Sequence, residues 1–92
     1  MTINELAKIL ANMYANAVRG ENKGVVPHIF GIKYASEIKN NYYSPKSIIE
    51  VARKTFSSDI PTSYGTEIYK GTKLEKYVTL NQKHLEDLID KS

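Results

Sequence analysis

The residues most able to do chemistry lie on one predicted helix, from Ser44 to about Ser57. Its start is well marked, because Ser44 can accept hydrogen bonds from the free amides of the first turn and Pro45 has no amide that needs a partner. Helical spacing places four apolar residues on one side, namely Ile48, Val51, Ala52 and Phe56. The other side carries the polar residues Ser44, Lys46, Ser47, Glu50, Arg53 and Lys54. A cationic face that begins at a capped N-terminus is suited to binding an anion.

These residue types match the contacts that proteins make with DNA. An arginine such as Arg53 can bind a guanine edge through two hydrogen bonds, a pair worth about 1–3 kcal/mol of base discrimination. Ser44 and Ser47, together with the helix amides, suit a phosphate. Glu50 fits this interpretation only where it accepts from a cytosine amino group. The alternative is an ordinary amphipathic helix whose polar side faces water.

A second group of cations lies in residues 64–80, which we predict to form a β-hairpin. β-Branched and aromatic residues are frequent there, and Gly65 and Gly71 favour strands and a turn. The alternative is a helix, which would have to hold both glycines in its interior. Three lysines surround the predicted hairpin tip: Lys70, Lys73 and Lys76. Lysines at this position could follow DNA phosphates or could protect exposed edge strands from pairing.

The sequence contains no constellation typical of catalysis or of metal binding. His28 and His84 lie far apart, and neither has a nucleophile or further metal ligands beside it. We predict that His28 lies at a helix start and His84 on the surface. There is no cysteine and no glycine-rich phosphate loop. The sequence therefore predicts no enzyme activity, no bound metal and no cofactor.

The predicted first helix begins at a capping box formed by Thr2 and Glu5. Apolar residues recur at helical spacing from Ile3 onwards, and we expect the helix to end at about Arg19, before Gly20. The apolar stripe covers fewer than about three heptads, so it is better explained as core than as a coiled-coil seam.

Helical periodicity returns at Pro27. Val25 and Val26 precede this proline, which favours a short extended segment. The following helix places four residues on one side: Phe30, Tyr34, Ala35 and Ile38. Gly31 costs this helix up to about 1 kcal/mol relative to alanine. A close contact with another helix would explain the glycine.

The segment before Ser44 is predicted to be a turn in which Asn40 and Asn41 tolerate left-handed backbone. Asn81 is expected to cap a short last helix. Four tyrosines fall in predicted loops or in the hairpin, namely Tyr42, Tyr43, Tyr64 and Tyr69. Tyrosines in such positions could contact DNA sugar and phosphate or a protein partner.

Composition indicates one globular domain over residues 1–92, with 41% hydrophobic and 25% charged residues. The net charge is +3, and residues 39–76 hold seven basic and four acidic side chains. This excess of positive charge points to a polyanionic partner, although a solvated face without a partner would look similar. There is no apolar run of about 20 residues and no signal-peptide pattern. We therefore expect a cytoplasmic protein without membrane contact.

The order of helix, extended segment, helix, turn, helix, hairpin and helix resembles a winged helix-turn-helix over nearly the whole chain. The runs 28–35 and 63–68 also resemble a family of small bacterial HTH-like domain proteins. The resemblance implies an α+β, mostly α-helical fold with three N-terminal helices, a β-hairpin wing and a short C-terminal helix. The turn at 40–43 is longer than that of the older helix-turn-helix pattern and lacks its glycine. A winged variant tolerates this departure better.

The resemblance implies DNA binding by analogy of fold. The first hypothesis is a small transcriptional regulator or DNA-targeting module that reads double-stranded DNA with helix 44–57 and the lysine-rich wing 64–80. The alternative is a protein–protein interaction module, a winged-helix adaptor that binds no DNA. A homodimer and a separate protein partner remain open in both cases.

Overall fold

A computed structural model of the protein describes residues 1–17 and 23–89, and these residues form helices without any β-strand. The elements in chain order are α1 (Ile3–Asn16), α2 (Val26–Lys33), α3 (Ala35–Asn40), α4 (Pro45–Thr55), α5 (Tyr64–Leu74), a 3₁₀ turn (Glu75–Tyr77) and α6 (Gln82–Ile89). None of the described helices is both long and apolar enough to cross a bilayer.

The predicted capping box of α1 is confirmed. The Thr2 hydroxyl accepts from the Glu5 amide at 3.1 Å, and the Glu5 carboxylate accepts from the Thr2 amide at 2.8 Å. The predicted end at Arg19 is wrong, because α1 ends at Asn16 and Ala17 already has extended backbone. Arg19 and the predicted stop at Gly20 lie outside the described residues. The apolar stripe is core, since Leu6, Leu10 and Met13 are completely buried.

The extended segment predicted at Val25 and Val26 is also wrong. Val25 has helical backbone angles, and Val26 is the first residue of α2. Pro27 lies in the first turn, where its missing amide costs nothing. This local advantage and the complete burial of Val26 outweigh the usual preference of a pre-proline residue for extended backbone.

One helix was predicted after Pro27, and the structure divides it into α2 and α3 at Tyr34. The predicted apolar side is confirmed, because Phe30, Ala35 and Ile38 are buried. The close helix contact expected at Gly31 is confirmed as well. A Cβ atom added to Gly31 would lie 2.9 Å from the Cα atom of Gly71 in α5, which is closer than side chains can approach.

The β-hairpin wing predicted for residues 64–80 is wrong, and with it the α+β class. Residues 64–74 form α5, and the 3₁₀ turn follows directly. Gly71 is buried at the crossing of α5 with α2 rather than at a hairpin tip. Tyr64, Ile68 and Thr72 are buried at intervals of four residues, which is the spacing of a helix face. The close approach of two backbones offsets the cost of the glycine inside a helix.

The helices pack in pairs around one core. Helix α1 packs against α2, α4 and α6, while α5 packs against α2 and α4. Completely buried side chains come from the first five helices, α1 to α5, and from the loop before α5, and they include Leu6, Phe30, Ile48, Ile60 and Ile68. The last predicted helix is confirmed as α6, and the Asn16 side chain donates to the Leu88 carbonyl at 2.8 Å to hold it on α1.

Candidate nucleic-acid interface

The turn between α3 and α4 places the start of α4 at the surface. The Tyr43 amide donates to the Ile38 carbonyl at 3.0 Å, and the Tyr42 amide donates to the Lys39 carbonyl at 3.2 Å. These two bonds form a Schellman motif at the end of α3. Its left-handed residue is Tyr42, with φ 57°, and not one of the predicted asparagines. The side chain of Tyr42 is 94% exposed.

The predicted start of α4 is confirmed. The Ser44 hydroxyl accepts from the Ser47 amide at 3.0 Å and donates to the Ser47 hydroxyl oxygen at 2.8 Å. Pro45 is in the first turn. The helix ends at Thr55, two residues before the predicted end at Ser57. Phe56, which was predicted on the apolar side, is 42% exposed.

Lys46, Glu50 and Lys54 are exposed on α4 at intervals of four residues, so they form one row along the helix. Among the described residues, none forms an ion pair with Lys46 or Lys54. The row therefore presents two unneutralised ammonium groups on either side of one carboxylate, and its charges are available to a partner from outside.

Arg53 differs from the other predicted DNA-contacting residues. Its side chain is half-buried, and Nη1 donates to the carbonyl oxygen of Ile60. Ile60 is completely buried in the loop between α4 and α5. The guanidinium thus fastens this loop to α4 with one of its five N–H donors, and its positive charge is held in a fixed place.

An open groove of about 790 Å³ lies between parts of α4 and α5. The α4 wall consists of Ser44, Pro45, Lys46, Ile49, Glu50, Arg53 and Lys54. The opposite wall consists of Ser58 and Thr62 from the loop and Gly65, Thr66 and Tyr69 from α5. Five residues of the predicted DNA-contacting set are therefore brought together along one groove: Ser44, Lys46, Glu50, Arg53 and Lys54.

The three lysines predicted around a hairpin tip lie instead along α5 and the 3₁₀ turn. The Lys70 ammonium lies 3.4 Å from the Glu67 carboxylate. The Lys73 ammonium lies 5.1 Å from the centre of the Tyr69 ring, and the Lys76 ammonium lies 5.2 Å from that of Tyr77. Lys70 and Lys73 are three residues apart on the outer side of α5, and both are exposed.

His28 lies in the first turn of α2, as predicted, and its Nε2 contacts the Glu67 carboxylate of α5. This hydrogen bond, with a smaller contribution from Lys70, holds the pKa of Glu67 below its ordinary value of 4.5. The histidine thus joins α2 to α5 rather than contributing to a reactive site. The side chain of His84 lies outside the described residues.

The tyrosines divide into structural and exposed groups. Tyr64, predicted in the wing, is buried and donates its hydroxyl proton to the Lys23 carbonyl, and burial raises its pKa to about 12. Tyr43 is half-buried and donates to the Met1 carbonyl at 2.8 Å. Tyr42 and Tyr69 remain exposed, at 94% and 52%. Only these two keep the surface role that was predicted for all four.

The second wall of the groove was not predicted from the sequence. Thr62, Gly65, Thr66 and Tyr69 were assigned to a loop and a hairpin, where they would not face α4. The spacing of Tyr64, Ile68 and Thr72, four positions apart, was the sequence signal that could have revealed the helix.

The sequence profile of one family, described as an HTH-like domain, matches residues 2–81. No curated protein and no solved structure matches the chain. The matched range begins at the cap of α1 and extends past the end of α5, so it includes both the α3–α4 turn and the groove. This finding confirms the resemblance drawn from the sequence: the chain belongs to the HTH-like domain family.

Proposed function

We propose that this protein is a non-catalytic DNA-binding protein, a small regulator or DNA-targeting module that reads double-stranded DNA with α4. The observation that carries the proposal is the exposed row of Lys46, Glu50 and Lys54 on the second helix of the α3–turn–α4 unit. In helix-turn-helix proteins, this second helix lies in the major groove with its N-terminal residues at the base edges.

The geometry of α4 assigns different roles to its side chains. Lys46 is in the first turn and can reach a phosphate or a guanine edge. Glu50 lies in the middle of the row, where it can accept from a cytosine amino group. Arg53 has one N–H directed to its own loop, so a base contact uses its other donors. Ser44 and Ser47 stay next to the free amides of the helix start and suit a phosphate.

Helix α5 takes the role of the second DNA-contacting element. Lys70 and Lys73 on its outer side can follow the phosphates of the strand that flanks α4, and Lys76 extends the row into the 3₁₀ turn. Such contacts position a protein on the duplex and add affinity that depends on salt and not on base sequence.

The test is a salt titration of binding to a mixed-sequence duplex. We expect the logarithm of the association constant to fall linearly with the logarithm of salt concentration. Replacing one phosphate-contacting lysine, by Lys46→Gln or Lys54→Gln, should reduce the slope by about 1. Lys8→Gln is the matched control, because Lys8 is an exposed lysine on α1 and outside the groove. If the wild-type protein binds no duplex at low salt, the proposal is wrong.

A protein-interaction module is the second candidate function. Three apolar side chains at the end of α5 and after it are exposed: Leu74 (42%), Tyr77 (73%) and Val78 (44%). Adjacent exposed apolar residues are typical of protein contact sites. This function predicts a partner that is still captured after nuclease treatment and that is lost on Tyr77→Ser, whereas Lys46→Gln leaves it bound.

A further inference from the structure

We infer that the groove between α4 and α5 binds an organic acid with an apolar body, and that its occupation excludes DNA from α4. The first part is independent of the proposed function. The second part rests on it, because it describes how binding of DNA by the same helix is regulated.

The groove has the size and floor of a small-molecule site. Its volume of about 790 Å³ falls within the range of about 300–1,000 Å³ that is typical of ligand pockets. Pro45 and Ile49 contribute apolar surface on the α4 side, and Tyr69 contributes an aromatic side chain on the α5 side. A purely phosphate-binding surface needs no such apolar floor, so the groove fits a ligand with a hydrocarbon or aromatic body.

Gly65 accounts for the shape of the groove. A Cβ atom added at this position would lie 3.7 Å from the Lys46 Cα atom and 3.8 Å from the Ile49 Cγ1 atom, which is ordinary van der Waals contact. The glycine is therefore not required by the helix packing. Because Gly65 lines the groove beside Lys46 and Ile49, a long side chain at this position is expected to occupy part of the space.

The charges around the groove specify an anion. Lys46, Arg53 and Lys54 line its α4 wall, and Glu50 is the single carboxylate in its lining. Arg53 is the best placed of the three cations, because its guanidinium is anchored to the Ile60 carbonyl and is half-buried. A half-buried, fixed charge is screened less than a mobile surface charge. The hydroxyls of Thr62 and Thr66 add hydrogen-bonding groups on the opposite wall.

An acid bound in this groove would neutralise cations that α4 presents to DNA. Because one set of residues serves both ligands, binding of either ligand weakens binding of the other by the same factor. The acid would thus release the protein from the duplex, which gives the groove a regulatory role.

The probes for direct binding are 8-anilinonaphthalene-1-sulfonate, an aromatic anion, and N-phenyl-1-naphthylamine, its neutral counterpart with the same rings. We expect the sulfonate to bind the wild-type protein at least tenfold more tightly than the neutral amine. In nuclear magnetic resonance spectra of the ¹⁵N-labelled protein, the amides of Gly65, Thr66 and Tyr69 should shift on titration with the sulfonate.

Two methionine substitutions separate groove binding from other effects. Gly65→Met fills the groove and should weaken binding of the sulfonate at least tenfold. Gly24→Met is the matched control, because a side chain at Gly24 meets no atom within 4 Å, and it should bind the sulfonate like the wild type. Thermal unfolding of both variants shows whether each remains folded. Should Gly65→Met fail to fold, Lys54→Gln provides the second test, with weaker sulfonate binding and unchanged binding of the neutral amine.

Three results would overturn the ligand site. These are equal affinity for the neutral amine, chemical shift changes confined to residues outside the groove such as Leu74 and Tyr77, and self-association of the wild type that Gly65→Met abolishes. The last result would mean that a second copy of the chain covers the groove.

The regulatory part is tested by adding the sulfonate to the protein–duplex complex, where it should raise the apparent dissociation constant of the duplex. Duplex binding that is unaffected by a saturating amount of sulfonate would overturn the regulation and leave the proposed function intact. Sulfonate binding in the groove without any duplex binding would overturn the proposed function and leave the ligand site standing.

Discussion

Helix α5 has two neighbours, and its contacts with them are opposite in kind. Against α2 the backbones meet, since Gly31 and Gly71 lie at the crossing and added Cβ atoms would collide with backbone atoms of the other helix. Against α4 there is ordinary contact at Gly65 and then an open groove of about 790 Å³. Glycine thus allows close backbone contact between α2 and α5, whereas at Gly65 it leaves room for a side chain beside α4.

This difference separates the closely packed side of α5 from the side that carries the groove. The α2–α5 crossing also carries the hydrogen bond of His28 with Glu67, so it is held by both packing and a side-chain hydrogen bond. On the α4 side, Lys46 and Lys54 form no ion pair with any described residue. The close packing of α5 against α2 fixes the position of α5. The other side of α5 forms the second wall of the groove.

Adding a side chain at the α2–α5 crossing should lower the free energy of unfolding more than any other change considered below. Gly31→Ala and Gly71→Ala each place a Cβ atom against backbone that cannot move aside like a side chain. Overpacking of this kind costs about 1–3 kcal/mol, and we expect the upper end or complete loss of folding. Urea unfolding followed by circular dichroism measures the free energy of unfolding. A loss below about 0.5 kcal/mol in both variants would show that the helices are not in backbone contact.

A glycine substitution in the turn that leads into α4 should stabilise the protein. Tyr42 has left-handed backbone, which costs a residue with a Cβ atom about 1–2 kcal/mol and costs glycine little. Its side chain is 94% exposed, so little packing is lost with it. Tyr42→Gly should therefore raise the free energy of unfolding by about 1 kcal/mol. Tyr77→Gly is the control, because Tyr77 is also exposed but has no positive φ, and it should not stabilise the protein. A loss of stability in Tyr42→Gly would contradict the proposed strain.

Alanine at Gly65 should sharpen the comparison between the two contacts. The added Cβ atom fits without displacement, and alanine favours a helix over glycine by up to about 1 kcal/mol. Gly65→Ala should therefore stabilise the protein by about 0.5–1 kcal/mol in the same urea experiment in which Gly71→Ala destabilises it. Destabilisation by both substitutions would mean that α5 is as tightly packed against α4 as against α2.

Acid should remove the contribution of Glu67 at the α2–α5 crossing to the free energy of unfolding, and this is the smallest of the expected effects. Because the folded-state pKa of Glu67 lies below its ordinary value of 4.5, its contribution to stability is present above that value. The contribution is lost as the pH falls through the lowered pKa. The difference in unfolding free energy between wild type and Glu67→Gln should therefore shrink between about pH 6 and about pH 3. A difference that stays constant over this range would show that the His28–Glu67 contact adds no stability.

Sequence patterns predicted the structure correctly where the contacts that decide it join residues within one turn of helix. The capping box of Thr2 with Glu5 and the cap of Ser44 before Pro45 were both predicted and are both present. The buried side of the helices after Pro27 was predicted as well, except for the break at Tyr34. The polar row of Lys46, Glu50 and Lys54 followed from its spacing, because position on a helix face is a local property.

The region from Tyr64 onwards was decided by tertiary structure. Gly71 is compatible with a turn or with a helix, and its local preference favours the turn. The helix forms because Gly71 meets Gly31, forty residues earlier in the chain, and the close approach stabilises what local propensity disfavours. The hydrogen bond of Arg53 to the Ile60 carbonyl and the groove between α4 and α5 likewise depend on how the helices and the loop between them pack. The sequence by itself determined where α1 and α4 begin and which side of α1 and of the helices after Pro27 is apolar. Only the packing of distant segments decided that the second wall of the groove is a helix.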